Sequence, residues 1–170
     1  MLRKHIIPVI MLALMLVILT ACPYTSSVPV SQSSEKLEKK LFGKWVKASD
    51  ADADFPEYYQ ISEQDKFRYR IEKNEYNTTD SIYDKTVYVS HTTTLGGIVF
   101  INMQKDGEGD FYIHRIDLSE DKESFVLFEV TDNIDEKFSS SAELKAFVDK
   151  YKELSFFYNS EEKTYTKKED

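Results

Sequence analysis

The chain of 170 residues contains one cysteine, five glycines, four prolines and one tryptophan. A lone Cys excludes an intrachain disulfide framework and a Cys-rich metal site. So few glycines leave no Gly-rich phosphate-binding loop, and no G-x-S-x-G elbow is present. Positive charge is also short, with 22 Lys and Arg against 30 Asp and Glu and a formal charge of −8. Non-specific nucleic-acid binding needs the opposite balance, so nucleic acid is excluded as a partner. No apolar run reaches the roughly 20 residues of a spanning helix. The longest, Ile6 to Leu19, has 14. What is present is a 41% apolar and 14% aromatic composition. That suits one small globular domain and is too apolar for a disordered chain.

The first residues read as an address. Arg3 and Lys4 precede the apolar run, and small residues follow it. This is the order of a signal peptide. Leu19-Thr20-Ala21-Cys22 resembles a bacterial lipobox, which implies cleavage after residue 21 and lipid on Cys22. The only thiol would then be consumed. Two or more acyl chains anchor stably where one does not. Removal of residues 1–21 takes two basic and no acidic side chains, so the mature chain carries −10. Such a domain gains nothing from anionic headgroups.

Residues 23–34, PYTSSVPVSQSS, hold two prolines, five serines and no charge. This composition predicts a flexible tether over 22–34 and a single domain over 35–170. Leu37, Leu41 and Phe42 predict a short helical turn, stopped by Gly43. Strand patterns follow at 44–48, 58–62, 66–73, 86–93, 98–103, 111–118 and 124–131. Within 66–73, Phe67, Tyr69 and Ile71 alternate with charged residues. Residues 74–84 read as polar and turn-rich. Ile98 to Met103, apolar on both faces, reads as a covered strand or an edge near a partner. Ser140 and Glu143 fit a capping box. Leu144, Phe147, Val148 and Tyr151 then mark one face of a helix over 141–153. The last segments, 154–158 and 163–167, read as a hairpin around Asn159-Ser160. The expectation is an all-β, mainly antiparallel meander closing into a barrel or half-barrel, with one α-helix in the C-terminal third.

A short helix followed by Gly43-Lys44-Trp45 at the first strand resembles the lipocalin-like (calycin) barrels. The resemblance implies that Trp45 packs under the floor at one end of the barrel. A basic residue usually caps that Trp, and Lys167 is the candidate. Thr131-Asp132 is similar to the start of the family's T-D-Y motif, with Asn133 in place of Tyr. The family's helix normally follows the last barrel strand, whereas here strand patterns follow the helix. The stretches CPYTSSVPVSQSSEKL, LFGKW and FEVTDNIDEKFSSSAELKAF resemble envelope lipoproteins of Bacteroidota. That resemblance implies an envelope address and supplies no activity.

The search for chemistry yields little. His91 and His114 fall in separate strands and do not by themselves make the three or four ligands of a Zn site. Asp50, Asp52 and Asp54 are spaced like the start of a Ca²⁺ loop. Phe55 and Ile61 stand where an EF-hand needs Gly and Glu. The expectation is a non-enzymatic protein with no cofactor and no metal, anchored to the membrane through Cys22, with the outer membrane favoured. Its barrel is expected to bind a small hydrophobic or amphipathic ligand, with Tyr58, Phe67, Tyr69, Val87 and Val89 lining the pocket. The alternative is a filled barrel that serves as an accessory subunit of an envelope complex.

Overall fold

The structure, a computed structural model, describes residues 24–131 and 133–168. The stretch expected to be a signal segment, the lipobox-like residues 19–22 and Cys22 itself lie outside the described residues. Among the described residues no helix is long and apolar enough to cross a membrane.

Among the described residues nine strands and one α-helix follow in order. The strands are β1 (Thr25–Ser26), β2 (Gly43–Lys47), β3 (Tyr58–Asp65), β4 (Arg68–Asn77), β5 (Ile82–Leu95), β6 (Ile98–Lys105), β7 (Phe111–Leu118), β8 (Ser124–Val130) and β9 (Tyr158–Lys168). Helix α1 (Ser141–Tyr151) lies between β8 and β9. Strands β2 to β9 pair antiparallel in chain order, and β9 returns to pair with β2. The result is a closed eight-stranded barrel with β1 outside it. Closure removes the unpaired edges that an open sheet would expose.

Register fixes which side chains enter the barrel, because directly opposed residues share a face. Ile71 opposes Ile61 and Tyr88, and Ile101 opposes Thr92 and His114. The inward set includes Trp45, Ile61, Tyr69, Ile71, Ile101, Met103, Ile116, Phe125, Leu127 and Tyr165. Trp45, Phe125 and Tyr165 form a column, with centroid separations of 4.7 and 5.2 Å. These rings and the surrounding isoleucines leave a void of only about 10 Å³ at the centre.

A second core lies outside the wall. Phe100, Ile113 and Val130 point outward and are covered by Leu144 and Val148 of α1, by Phe157, and by Tyr24 and Val30. The helix begins as its cap predicts, with Glu143 N–H donating to Ser140 Oγ at 3.3 Å. The Glu143 carboxylate reaches one residue further back than expected, to Ser139 N–H at 3.0 Å.

Four expectations need correction. Residues 24–34 are not a flexible tether. They form a strap over the outer wall, because apolar residues between the serines find a surface there. Val30 is fully buried, and its N–H donates to Asn102 Oδ1 at 2.7 Å. Ser31 O meets His91 Nε2 at 2.7 Å. The domain therefore begins by Tyr24 rather than at residue 35. Residues 74–84 are mostly strand: β4 and β5 continue past the barrel as an arm. Tyr58, Tyr76 and Tyr83 pack edge to face along it, and Phe55 stacks on Tyr76. Residues 98–103 are the covered strand rather than the edge: β6 pairs on both sides, with Ile101 and Met103 in the barrel core and Phe100 in the outer core. Finally, no hairpin forms around Asn159-Ser160. Ser155–Phe157 is a 3₁₀ turn, and β9 is one strand that closes the barrel, with a register shift against β8 opposite Phe128–Val130.

Candidate functional site

The two ends of the barrel differ in chemistry. One is covered by a plug, residues 35–42, containing the 3₁₀ turn Lys39–Leu41, which leaves a recess of about 540 Å³ against Thr94, Val99, Ile116 and Leu118. Trp45 Nε1–H donates to Leu41 O at 2.7 Å, and Glu38 N–H donates to Tyr69 Oη at 2.7 Å. Glu35 accepts from Thr94 N–H at 2.6 Å. Lys167 lies 5.2 Å above the Trp45 ring and donates to Lys40 O at 2.9 Å. Trp45 thus underlies the plug, with Lys167 as its basic neighbour. Gly43 has φ +121°, and a Cβ there would sit 3.3 Å from the Lys167 stem, so the glycine makes room for that lysine.

At the opposite end the inward alternation continues, but its residues become charged. Lys47, Glu57, Lys73, Glu75, Glu129, Glu161 and Lys163 surround a cup of about 370 Å³. Tyr59, Tyr88, Tyr112, Tyr165 and His114 complete its wall and floor. The charges are interleaved. Glu57 lies 3.7 Å from both Lys47 and Lys73, and accepts from Tyr165 Oη–H at 3.0 Å. Lys73 also reaches Glu75 at 2.8 Å, and Lys163 reaches Glu129 at 2.6 Å. Each ammonium retains N–H donors and each carboxylate retains lone pairs. With His114 neutral, the cup carries three cations against four carboxylates.

Burial shapes the ionisation here. It disfavours the charged form of His114 and, with Lys163 nearby, outweighs the attraction of Glu129, holding the imidazole down to about 4. Glu129 Oε1 is 4.0 Å from its Nε2. No hydrogen-bond partner for His114 Nδ1 stands among the described residues. Burial pushes Glu129 up, but the hydrogen bond and charge of Lys163 overcome it, so its carboxyl stays below the ordinary range. Burial pushes the Tyr59 and Tyr165 phenols up, so both are hydrogen-bonding groups rather than phenolates.

The five expected lining residues are not brought together. Tyr69 points inward but is spent in the plug. Phe67 sits in the β3–β4 turn, half-buried, with its N–H on Asp65. Val87 opposes Glu72 and Val89 opposes Arg70, on the outer face. Tyr58 also faces outward, under Lys44 at 4.3 Å and against Tyr83. A one-residue change of phase moves a strand residue across the wall, and the parity of β5 was set by Tyr88 and Ser90 instead. The residues that do form the cup carried a weak signal. Lys73 continues the Tyr69–Ile71 alternation, and Lys163 precedes Tyr165 and Lys167 in the same phase.

His91 is on the outer wall beneath the strap, so the two histidines face opposite sides of the sheet. Asp50, Asp52 and Asp54 lie in the exposed β2–β3 loop. Among the described residues no group of three or more His, Cys, Asp or Glu is placed to hold a metal ion.

Fold and site together define a class: a closed antiparallel barrel, packed at its centre, plugged at one end and holding a polar cup at the other. Compared with protein-family models, curated proteins and solved structures, the chain matches none.

Proposed function

We propose that this is a lipid-anchored, non-enzymatic protein of the cell envelope that binds a small amphipathic ligand by its polar end, in the cup. The observation that carries this reading is the contrast in space. The barrel centre offers about 10 Å³ and the cup about 370 Å³. An apolar molecule has no room in the first. In the second it would cover interleaved charges without replacing their water, which is costly. A ligand with both donors and acceptors meets the unspent groups of Lys47, Lys73, Lys163, Glu57 and Glu129. The anchor follows from the lipobox at Cys22, and the outer membrane is favoured.

The packed centre also supports a second reading, an interaction lipoprotein acting through its surface. Phe55 and Ile82, at 53% and 56% exposed, give that reading its contact residues.

The test is native mass spectrometry of the lipidated chain, purified in detergent from its own host's envelope. The cup reading expects a retained small molecule that mild denaturation releases. It also expects loss of that mass in Lys47→Gln, which removes a cup ammonium without stranding a tightly paired partner. A bare mass with a co-purifying protein moves the assignment to the interaction reading.

A further inference from the structure

We infer that the side of the barrel carrying α1 rests on the bilayer that holds the anchor, with Phe156 at the centre of the contact. This rests on the reading of Cys22 as the lipidated residue.

The chain enters the fold at Tyr24. Its ring is buried in the outer core with Leu144, Val148 and Phe157, and its hydroxyl lies within the field of Glu136. Cys22 precedes Tyr24 by two residues, a reach of roughly 7 Å even when fully extended. A flexible tether of a dozen residues would have let the domain face any direction. The strap removes that freedom, and the lipid emerges beside this wall.

The same wall has unpartnered apolar surface. A groove of about 360 Å³ is lined by Ile134, Phe147, Tyr151, Phe156 and Phe157, with Glu136 at its rim. Phe156 is 68% exposed, the most of any large apolar side chain among the described residues, and Leu154 is 39% exposed. Phe and Tyr beside an anchored terminus are suited to the boundary between headgroups and acyl chains. With −10 on the mature chain, attraction to anionic lipid supplies nothing, so the contact is apolar.

The molecule holds its own control. Phe55 is also exposed, but it stacks on Tyr76 at the β2–β3 loop and the β4–β5 arm. In barrel order that surface is opposite the β6–β8 wall that α1 covers. The native Trp45 is fully buried and gives only a shielded background.

Phe156→Trp and Phe55→Trp would each be made in the full chain, lipidated in a bacterial host and placed in phosphatidylcholine vesicles with brominated acyl chains. Mass spectrometry of the N-terminal peptide first reads the acyl groups on Cys22. An unacylated Cys22 overturns the anchored reading itself. With the acyl chains present, tryptophan at 156 is expected to be quenched at least about twofold more than at 55, as for a residue 5–10 Å into the interface. Aqueous acrylamide should give the opposite ranking. Equal quenching at both positions, or stronger lipid quenching at 55, overturns the inference while leaving the anchor intact.

Discussion

At the plug end the barrel closes with apolar mass and a few directed hydrogen bonds; at the cup end the same inward positions carry charges. Trp45, Leu41, Phe42 and Tyr69 fill the first. Lys47, Lys73, Lys163, Glu57 and Glu129 occupy the second. The strands are continuous between the two, so backbone geometry does not distinguish them. The difference lies in what each end can tolerate. A plug must exclude water, and an indole donor buried there finds its acceptor in Leu41 O. A cup left open to solvent can keep ions, provided each has a partner nearby. Stability should therefore reside at the plug, and recognition and the larger part of the histidine pH response at the cup.

The largest expected effect tests the first half of that contrast. Trp45→Ala should cost about 3–5 kcal/mol of unfolding free energy, read by urea denaturation, because it opens a cavity beside Phe125 and Leu41. A loss under about 1 kcal/mol would show that the plug is not the stabilising end. Next in size is Lys163→Met, which leaves Glu129 half-buried without its 2.6 Å partner. The expected cost is about 1–3 kcal/mol at neutral pH, recovered in part by the double variant with Glu129→Gln.

Acid should separate the ends further. His114 is held down to about 4 in the fold, against 6.5 for an unperturbed imidazole. Between those values the unfolded chain binds a proton that the fold refuses. Stability should thus fall as pH drops from 6.5 toward 4. The Glu129 carboxyl, held low by Lys163, adds a loss only below its unperturbed 4.5. In His114→Gln the slope between 4.5 and 6.5 should flatten in part, measured as denaturant midpoint against pH, with the remainder left to His91, which burial under the strap also holds below the ordinary imidazole value. An unchanged slope would place the acid sensitivity elsewhere. The smallest effect belongs to Val89→Thr on the outer face of β5. It should shift stability by no more than about 0.5 kcal/mol and leave any cup ligand bound. Loss of that ligand would put Val89 back inside the barrel.

Much of the fold could be read from local pattern. Helix α1 announced itself through Ser140, Glu143 and the Leu144–Val148 spacing, all short-range features. Strand positions followed from alternation, and β7 at 111–118 matched the pattern fully. The strap was misread because proline and serine mark chains without their own core, yet Val30 and Tyr24 needed only a surface to cover. The hairpin expected at Asn159-Ser160 failed for a similar reason. Local polarity suggested a turn, but the chain stays in strand β9 there and takes up the extra residues as an irregularity opposite Phe128–Val130 of β8. The cup was the least legible part. Its seven charged residues come from four strands and the loop before β3, and only barrel closure makes them neighbours.

The sequence by itself determined an acidic chain with one late helix and enough alternating apolar residues for an antiparallel β domain. It also determined Gly43 and Trp45 as a pair at the start of the first barrel strand. These are properties of neighbouring residues, set by side-chain volume, backbone freedom and a period of two or 3.6. The tertiary structure decided which face of each strand is inside, that the barrel is filled, and that charges gather at one mouth. It also decided that residues 24–34 are strap rather than tether. Such properties depend on register between strands and on closure of β9 onto β2, where a shift of one residue exchanges core and solvent along a whole strand.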